Sequence, residues 1–168
     1  DNVTEEEIRM MVDVGEEKGT IKEEEKEMIN NVFEFNDKFA SEIMVPRNKI
    51  FALDIDMTIA EVIEKLSEDM RYSRIPVYDE NMDNIKGIIY IKDLLISNKN
   101  KNSKIKSLVK EAYFVSETKR VNELFQELRK DKKQIAIVLD EYGGTAGMVT
   151  MEDILEEIVG EIYDEYDK

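Results

Sequence analysis

Residues that punctuate the first half of this chain return 60 positions later: Gly87 with Gly147, and Asp93 with Asp153. Phe51 with Tyr113 and Asp79 with Asp140 return at nearly the same spacing. An internal repeat of this length restricts the fold more than any composition figure, because each copy must be one supersecondary unit. In the first copy a short strand is expected over 50–53, then a helix opened by Thr58-x-x-Glu61. That helix carries Ile59, Val62, Ile63, Leu66 and Met70 on one face. Strands over 74–78 and 85–91 follow, separated by the polar turn 79–84, and a helix begins near Asp93. The polar stretch 97–103 reads as a linker. The second copy repeats the order: a strand over 113–115, a helix with Val121, Leu124, Phe125 and Leu128 at matching spacing, strands over 135–139 and 146–150, and a helix near Asp153. Each copy is β-α-β-β-α. Such a unit is too small to bury its sheet alone, so the two should pack face to face as one α+β module with pseudo-twofold symmetry.

An acidic helical lead-in occupies residues 1–45. Thr4-Glu5-Glu6-Glu7 and Thr20-Ile21-Lys22-Glu23 both have capping-box spacing, and Gly19 between them suits the end of a first helix. Met28, Ile29, Val32 and Phe33 fall on one face of the second helix. A third is expected from Asn36-Asp37 to about Met44, where Pro46 forbids continuation. The run Glu23–Glu27 is most simply a solvated face. The remaining boundaries follow: one repeat over 46–102, the second over 103–163, and residues 164–168 opening a linker to a further domain.

The residue inventory excludes much chemistry. With neither cysteine nor histidine, disulfide frameworks, thiolate or imidazole metal sites and His-based triads are impossible. No base–nucleophile arrangement is evident, and no enzymatic activity or protein-only metal site is expected. The formal charge of −15 disfavours nucleic acid and anionic lipid as partners. No apolar run approaches the roughly 20 residues needed to span a bilayer, and nothing resembles a signal peptide. The chain is expected to be a soluble piece excised from a longer protein.

The segment with most chemical content is Gly147-Met148-Val149-Thr150-Met151-Glu152-Asp153, at a strand-to-helix junction. A hydroxyl and a carboxylate three residues apart at a helix start suit a ribose phosphate. The free N–H groups and positive dipole end attract phosphate, and a carboxylate can accept from both ribose hydroxyls. Gly147 permits close backbone approach. The alternative is that Thr150 and Asp153 only cap their helix. Met148 and Met151 suit core filling as well as pocket lining, and Arg74 suits a surface ion pair as well as a phosphate. The glycine-rich run 143–147 joins two strands and reads as a turn, unlike a G-x-G-x-x-G opening a helix. The turn 79–84 lacks the glycine and distal Glu of a calcium loop.

The β-α-β-β-α repeat with its G-h-h-T-x-x-D element resembles a pair of CBS domains (a Bateman module). Glu42-Ile43-Met44-Val45-Pro46-Arg47, Tyr72-Ser73-Arg74-Ile75-Pro76-Val77-Tyr78, Asp83-Asn84-Ile85-Lys86-Gly87 and Lys92-Asp93-Leu94-Leu95 are similar to one subgroup, as are two further runs. These are Asp140-Glu141-Tyr142-Gly143-Gly144-Thr145-Ala146-Gly147 and Glu156-Glu157-Ile158-Val159-Gly160-Glu161-Ile162. The subgroup is the cytosolic CBS pair of the CorC/HlyC (hemolysin-like) magnesium and cobalt transport proteins. The resemblance extends over nearly the whole chain, lead-in included.

That resemblance implies an adenine-nucleotide site, for ATP or AMP and with magnesium as an accompanying ion, in the cleft between the repeats. Thr150 and Asp153 would hold phosphate and ribose, with Gly147, Met148 and Met151 alongside. The backbone around Lys49, Ile50 and Phe51 would edge the adenine, Arg74 would reach the phosphates, and Glu152 would share a magnesium ion with them. The equivalent first-repeat site departs from the pattern, because Tyr90 stands where Thr150 stands. Any ligand there would meet Tyr113, Phe114 and Asp93. The resemblance also implies a homodimer on the cytoplasmic face of the cell membrane, behind a preceding membrane domain, regulating divalent-cation efflux. A dimerisation scaffold with a vestigial cleft is the alternative.

Overall fold

The computed structural model describes residues 2–67 and 72–160. Met70, Glu161, Ile162 and the linker expected at 164–168 lie outside them. The lead-in forms α1 (Glu5–Glu17) and α2 (Glu23–Phe35). Thr4 caps α1 through its hydroxyl, which accepts from the Glu7 N–H at 3.2 Å. The turn between them uses Gly19 at φ +77°, where a side chain would be strained. Thr20 does not cap α2. The Lys22 N–H donates to Glu25 Oε1 at 2.8 Å instead, moving the helix start inward. Met28 and Val32 are exposed, so only Ile29 and Phe33 of the expected α2 face are half-buried. The third helix is shorter than expected: α3 is Ala40–Ile43. Phe39 before it bridges Arg120 in the second repeat.

The first repeat comprises β2 (Leu53–Asp54), α4 (Ile59–Ser67), β3 (Arg74–Asp79), β4 (Asn81–Tyr90) and α5 (Ile91–Ile96). Ahead of it lies a two-residue strand, β1 (Val45–Pro46). The polar turn expected at 79–84 contracts to Glu80, at φ 70°, because the hairpin arms continue into solvent as strand. The second repeat comprises β5 (Tyr113–Ser116), α6 (Val121–Lys130), β6 (Ile135–Leu139), β7 (Thr145–Thr150) and α7 (Met151–Val159). Its elements follow the expected positions within a residue or two.

Each repeat builds a sheet in which a parallel pair is extended by an antiparallel hairpin: β2-β3-β4 in the first, β5-β6-β7 in the second. Each sheet then receives a strap from outside its own repeat. β1 pairs antiparallel with β7, Val45 opposite Met148 and Pro46 opposite Gly147. Lys110, from the segment joining the repeats, bridges Ile88 of β4.

Three apolar clusters result. One lies between the first sheet and α4 and α5, around Leu53, Val62, Ile75 and Leu94. Its counterpart holds Leu124, Leu128, Val138 and Ile154, with Phe35 of α2 inserted edge-on against Phe125 at 6.1 Å. The third joins the sheets: Ile85 and Ile88 meet Ile135, Ile137 and Met148, with Ile50 and Val45 against them. That shared cluster is the face-to-face packing that neither small sheet could do without.

Candidate functional site

At the junction of β7 and α7, Thr150 has extended backbone (φ −104°, ψ 162°) and caps the helix. Its hydroxyl accepts from the Asp153 N–H at 3.1 Å, while Asp153 Oδ2 accepts from the Thr150 N–H at 2.9 Å. The capping alternative is therefore present in the structure. It uses one carboxylate oxygen and one hydroxyl lone pair. Asp153 Oδ1 and the threonine O–H have no partner among the described residues, so capping and ligand binding are compatible here.

The rest of the expected site divides. Arg74, at the start of β3, crosses from the first repeat to Glu152 on the first turn of α7. Nη2 donates to both carboxylate oxygens, at 3.0 and 2.9 Å. Arg74 is mostly covered, its side chain 20% exposed, whereas Glu152 is 64% exposed. The ion-pair alternative for Arg74 is thus realised, with the residue standing beside the Thr150–Asp153 corner.

Gly147 permits a close approach, but by its own chain. A Cβ there would run into the Val45 carbonyl oxygen and come within 2.6 Å of Met44 Sδ. Gly87 does the same in the first repeat, where a Cβ would run into the Lys110 carbonyl oxygen and lie 2.5 Å from Val109 Cγ1. The repeated glycines are where the straps cross. Met148 is buried in the shared cluster and presents little surface to a ligand. Met151 is half-buried against the second-repeat core.

Of the segment expected to edge adenine, Arg47–Lys49 forms a 3₁₀ turn and Lys49 is exposed. Ile50 packs into the shared cluster. Phe51 stacks on Tyr72, with ring centroids 4.8 Å apart and planes 8° apart, and Lys65 Nζ sits 5.5 Å from its centroid. The turn is held from the other repeat: Arg47 pairs with Asp83 and donates to the Thr145 carbonyl at 3.3 Å. Asp83 in turn accepts from the Thr145 N–H at 3.2 Å. The Arg47 guanidinium holds the Asp83 carboxyl below its ordinary range. In the 140–147 run, Asp140 closes the turn by accepting from the Tyr142 and Gly144 N–H groups at 2.9 Å, and Gly143 adopts φ +81°. This run is a structural turn, as expected.

The first-repeat corner is built differently. Tyr90 precedes α5 without capping it. Tyr113 is committed elsewhere: its hydroxyl donates to Glu127 at 2.8 Å, and Lys119 also pairs with Glu127. The Glu127 carboxylate, with burial adding to it, pushes the Tyr113 phenol up to about 12; the Lys119 ammonium holds Glu127 below its ordinary value. Asp93 is half-buried on α5, and Phe114 is exposed. A cavity of about 490 Å³ does open beside this corner, lined by Tyr72, Ser73, Arg74, Tyr90, Ile91, Lys92, Leu95 and Gln134. The sequence reading missed Tyr72, Lys92 and Gln134. The β3–β4 register, Arg74 opposite Tyr90, gathers Tyr72 and Lys92, and Gln134 comes from just ahead of β6 in the other repeat.

Asp153 lines a second cavity of about 460 Å³ with Glu27, Asn31, Ile43, Glu156, Glu157 and Gly160. Its carboxylates suit hydroxyl donors and repel anions. Among the described residues no three carboxylates converge to hold a metal ion.

The CBS domain family matches this chain twice, at residues 40–98 and 105–160. The chain belongs to the CBS-domain family. It is similar to the structure of the CBS domain of the bacterial CNNM/CorC family Mg2+ transporter, with 42% identity, a TM-score of 0.88, and 97% of this chain and 100% of that one covered. This CBS pair is of the CNNM/CorC type. A structure of that transporter's CBS domain in complex with ATP is 43% identical with a TM-score of 0.77, covering 82% of this chain and 99% of that one. A CBS-domain pair with bound AMP from Klebsiella pneumoniae is 32% identical with a TM-score of 0.63, covering 73% and 98%. Among curated relatives, UPF0053 protein Mb2387c of Mycobacterium bovis is 39% identical over 167 residues, 96% of this chain and 38% of the relative. The CBS pair thus spans under two fifths of that relative's length. Among the described residues no helix is long and apolar enough to cross a membrane.

Proposed function

We propose that this chain is a non-enzymatic regulatory module that binds an adenine nucleotide, ATP or AMP, and belongs to a membrane magnesium/cobalt (divalent-cation) efflux transporter, on its cytoplasmic face. The observation that carries the reading is the Thr150–Asp153 corner of one repeat facing Arg74 of the other. The ATP complex of a 43% identical relative supports the choice of ligand. Asp153 Oδ1 accepts from the ribose, the start of α7 and the Thr150 hydroxyl take the first phosphate, and Arg74 turns from Glu152 to the phosphates. Glu152 is then free to help hold a magnesium ion that the phosphates chiefly bind, the usual arrangement for an ion satisfied by one or two carboxylates.

Because Arg74 and Glu152 belong to different repeats, exchanging their contact for a phosphate changes what holds the repeats together. Nucleotide shifts the module between arrangements only by its differential affinity for them. The acidic helices transmit the shift, since α2 is joined to α7 through the Asn31 amide, which donates to the Ile158 carbonyl at 3.2 Å, and through the Lys38–Glu157 pair. A homodimer has a face available: Leu95 and Ile96 on α5 and Leu155 on α7 are exposed, with Leu95 and Leu155 at equivalent repeat positions.

Calorimetric titration with ATP and AMP, with and without magnesium, tests the reading, with Asp153→Ala as control. Saturable binding lost in the variant is expected. One observation favours a second reading, a dimerising scaffold: Thr150 and Asp153 already cap α7, and Arg74 is already paired with Glu152. Absence of heat with every nucleotide, while sedimentation still shows a dimer, would select it.

A further inference from the structure

We infer that Lys92 is the residue that makes this cleft select a nucleoside triphosphate over a monophosphate, by binding the distal phosphates. The inference rests on the nucleotide reading above and adds a specificity determinant to it.

The cavity beside the first-repeat corner is about 490 Å³, larger than a single phosphate needs, and Arg74 and Lys92 both line it. Its far wall, Gln134, adjoins the helix that anchors the nucleotide: the Met151 N–H donates to the Gln134 carbonyl at 3.0 Å. Arg74 is the link between the two places: it reaches Glu152, next to Asp153 on α7, and it shares the cavity with Lys92. Tyr72, braced by its stack on Phe51, forms a rigid side wall.

The charges along this path differ in how they are satisfied. Arg74 is held by Glu152. Lys92 stands at the equivalent position of the first repeat, 60 residues before Glu152. It has no ion pair or hydrogen bond among the described residues, in a chain with 39 carboxylates and 24 basic side chains. An ammonium on a flexible stem, facing a cavity and lacking a counter-charge, suits a mobile polyphosphate tail. A monophosphate ends at α7 and Arg74; each added phosphate extends toward Lys92.

The experiment is calorimetric titration of the wild type, Lys92→Gln and Lys92→Arg with AMP, ADP and ATP at fixed ionic strength. The wild type is expected to bind more tightly along that series. Lys92→Gln should lose about tenfold in ATP affinity, the worth of one charge-assisted hydrogen bond, with AMP affinity unchanged. Lys92→Arg should retain ATP affinity. Lys92 is exposed, so an unchanged melting temperature will show that the variant is folded. Equal losses for all three nucleotides, or no loss for any, would overturn the inference and leave the nucleotide reading standing. A wild type that binds none of the three would overturn the reading itself, and the inference with it.

Discussion

Gly147→Ala separates two explanations of a glycine that sits at the most informative motif of the chain. If the glycine serves ligand approach, adding a methyl group should weaken nucleotide binding and leave the apo protein as stable as before. The structure argues otherwise. The new Cβ would strike the Val45 carbonyl oxygen and lie 2.6 Å from Met44 Sδ. Methionine can move aside; a backbone carbonyl in a strand pair cannot do so without breaking the β1–β7 register. Overpacking of this kind costs roughly 1–3 kcal/mol. For a chain of this size that corresponds to a melting temperature lower by about 2–12 °C. Calorimetric or circular-dichroism melting of the apo protein measures it, beside Gly87→Ala, which should behave alike because a Cβ there meets Lys110 and Val109. An unchanged apo melting temperature in both variants would refute the crossing-strap explanation.

Removing the carboxylate in Asp153→Ala should abolish nucleotide binding and also lower apo stability by about 1 kcal/mol, the usual worth of a helix cap, read from denaturant midpoints. Glu152→Gln should release Arg74 from its partner and raise affinity for ATP without magnesium several-fold in titration; unchanged affinity would show that the pair does not compete with phosphate. Leu128, fully buried in the second-repeat core, should cost about 2–5 kcal/mol on truncation to Ala, seen as a lower urea midpoint at constant slope. Tyr113 has its folded value raised to about 12 from 10.0. Its contribution is thus complete below pH 10.0 and lost as pH climbs toward 12. Alkaline melting curves of the wild type should converge there on those of Tyr113→Phe.

Much of this architecture is legible because the repeat announces itself through local chemistry. Capping residues at Thr4, Thr58 and Thr150 and the apolar face of α6 each act within one turn of chain. The straps escape such reading. Val45–Pro46 has no alternating pattern to mark it, and its strand partner lies about a hundred residues away. Thr20 misleads because a capping spacing is only an offer, and Glu25 accepts from Lys22 first. The α2 face misleads because Met28 and Val32 follow helical periodicity yet stay exposed. At the site, Thr150 and Asp153 were readable as a motif and Arg74 as a conditional partner. Lys92, Tyr72 and Gln134 were not, because the antiparallel register across β3 and β4 brings the first two together and only the packing of the two repeats adds Gln134.

Biosynthesis meets the crossed straps as a delay. Val45 leaves the ribosome long before Met148, its pairing partner. At translation rates of about 5–20 residues per second the segment waits roughly 5–20 s for the strand that completes it. From the emergence of β4 until β6 and β7 follow, the first repeat has its inward sheet face, Ile85 and Ile88, uncovered. A nascent chain stalled after the first repeat is therefore a sticky intermediate, a natural client for chaperones. Independent production of either half should give aggregates rather than a smaller working module.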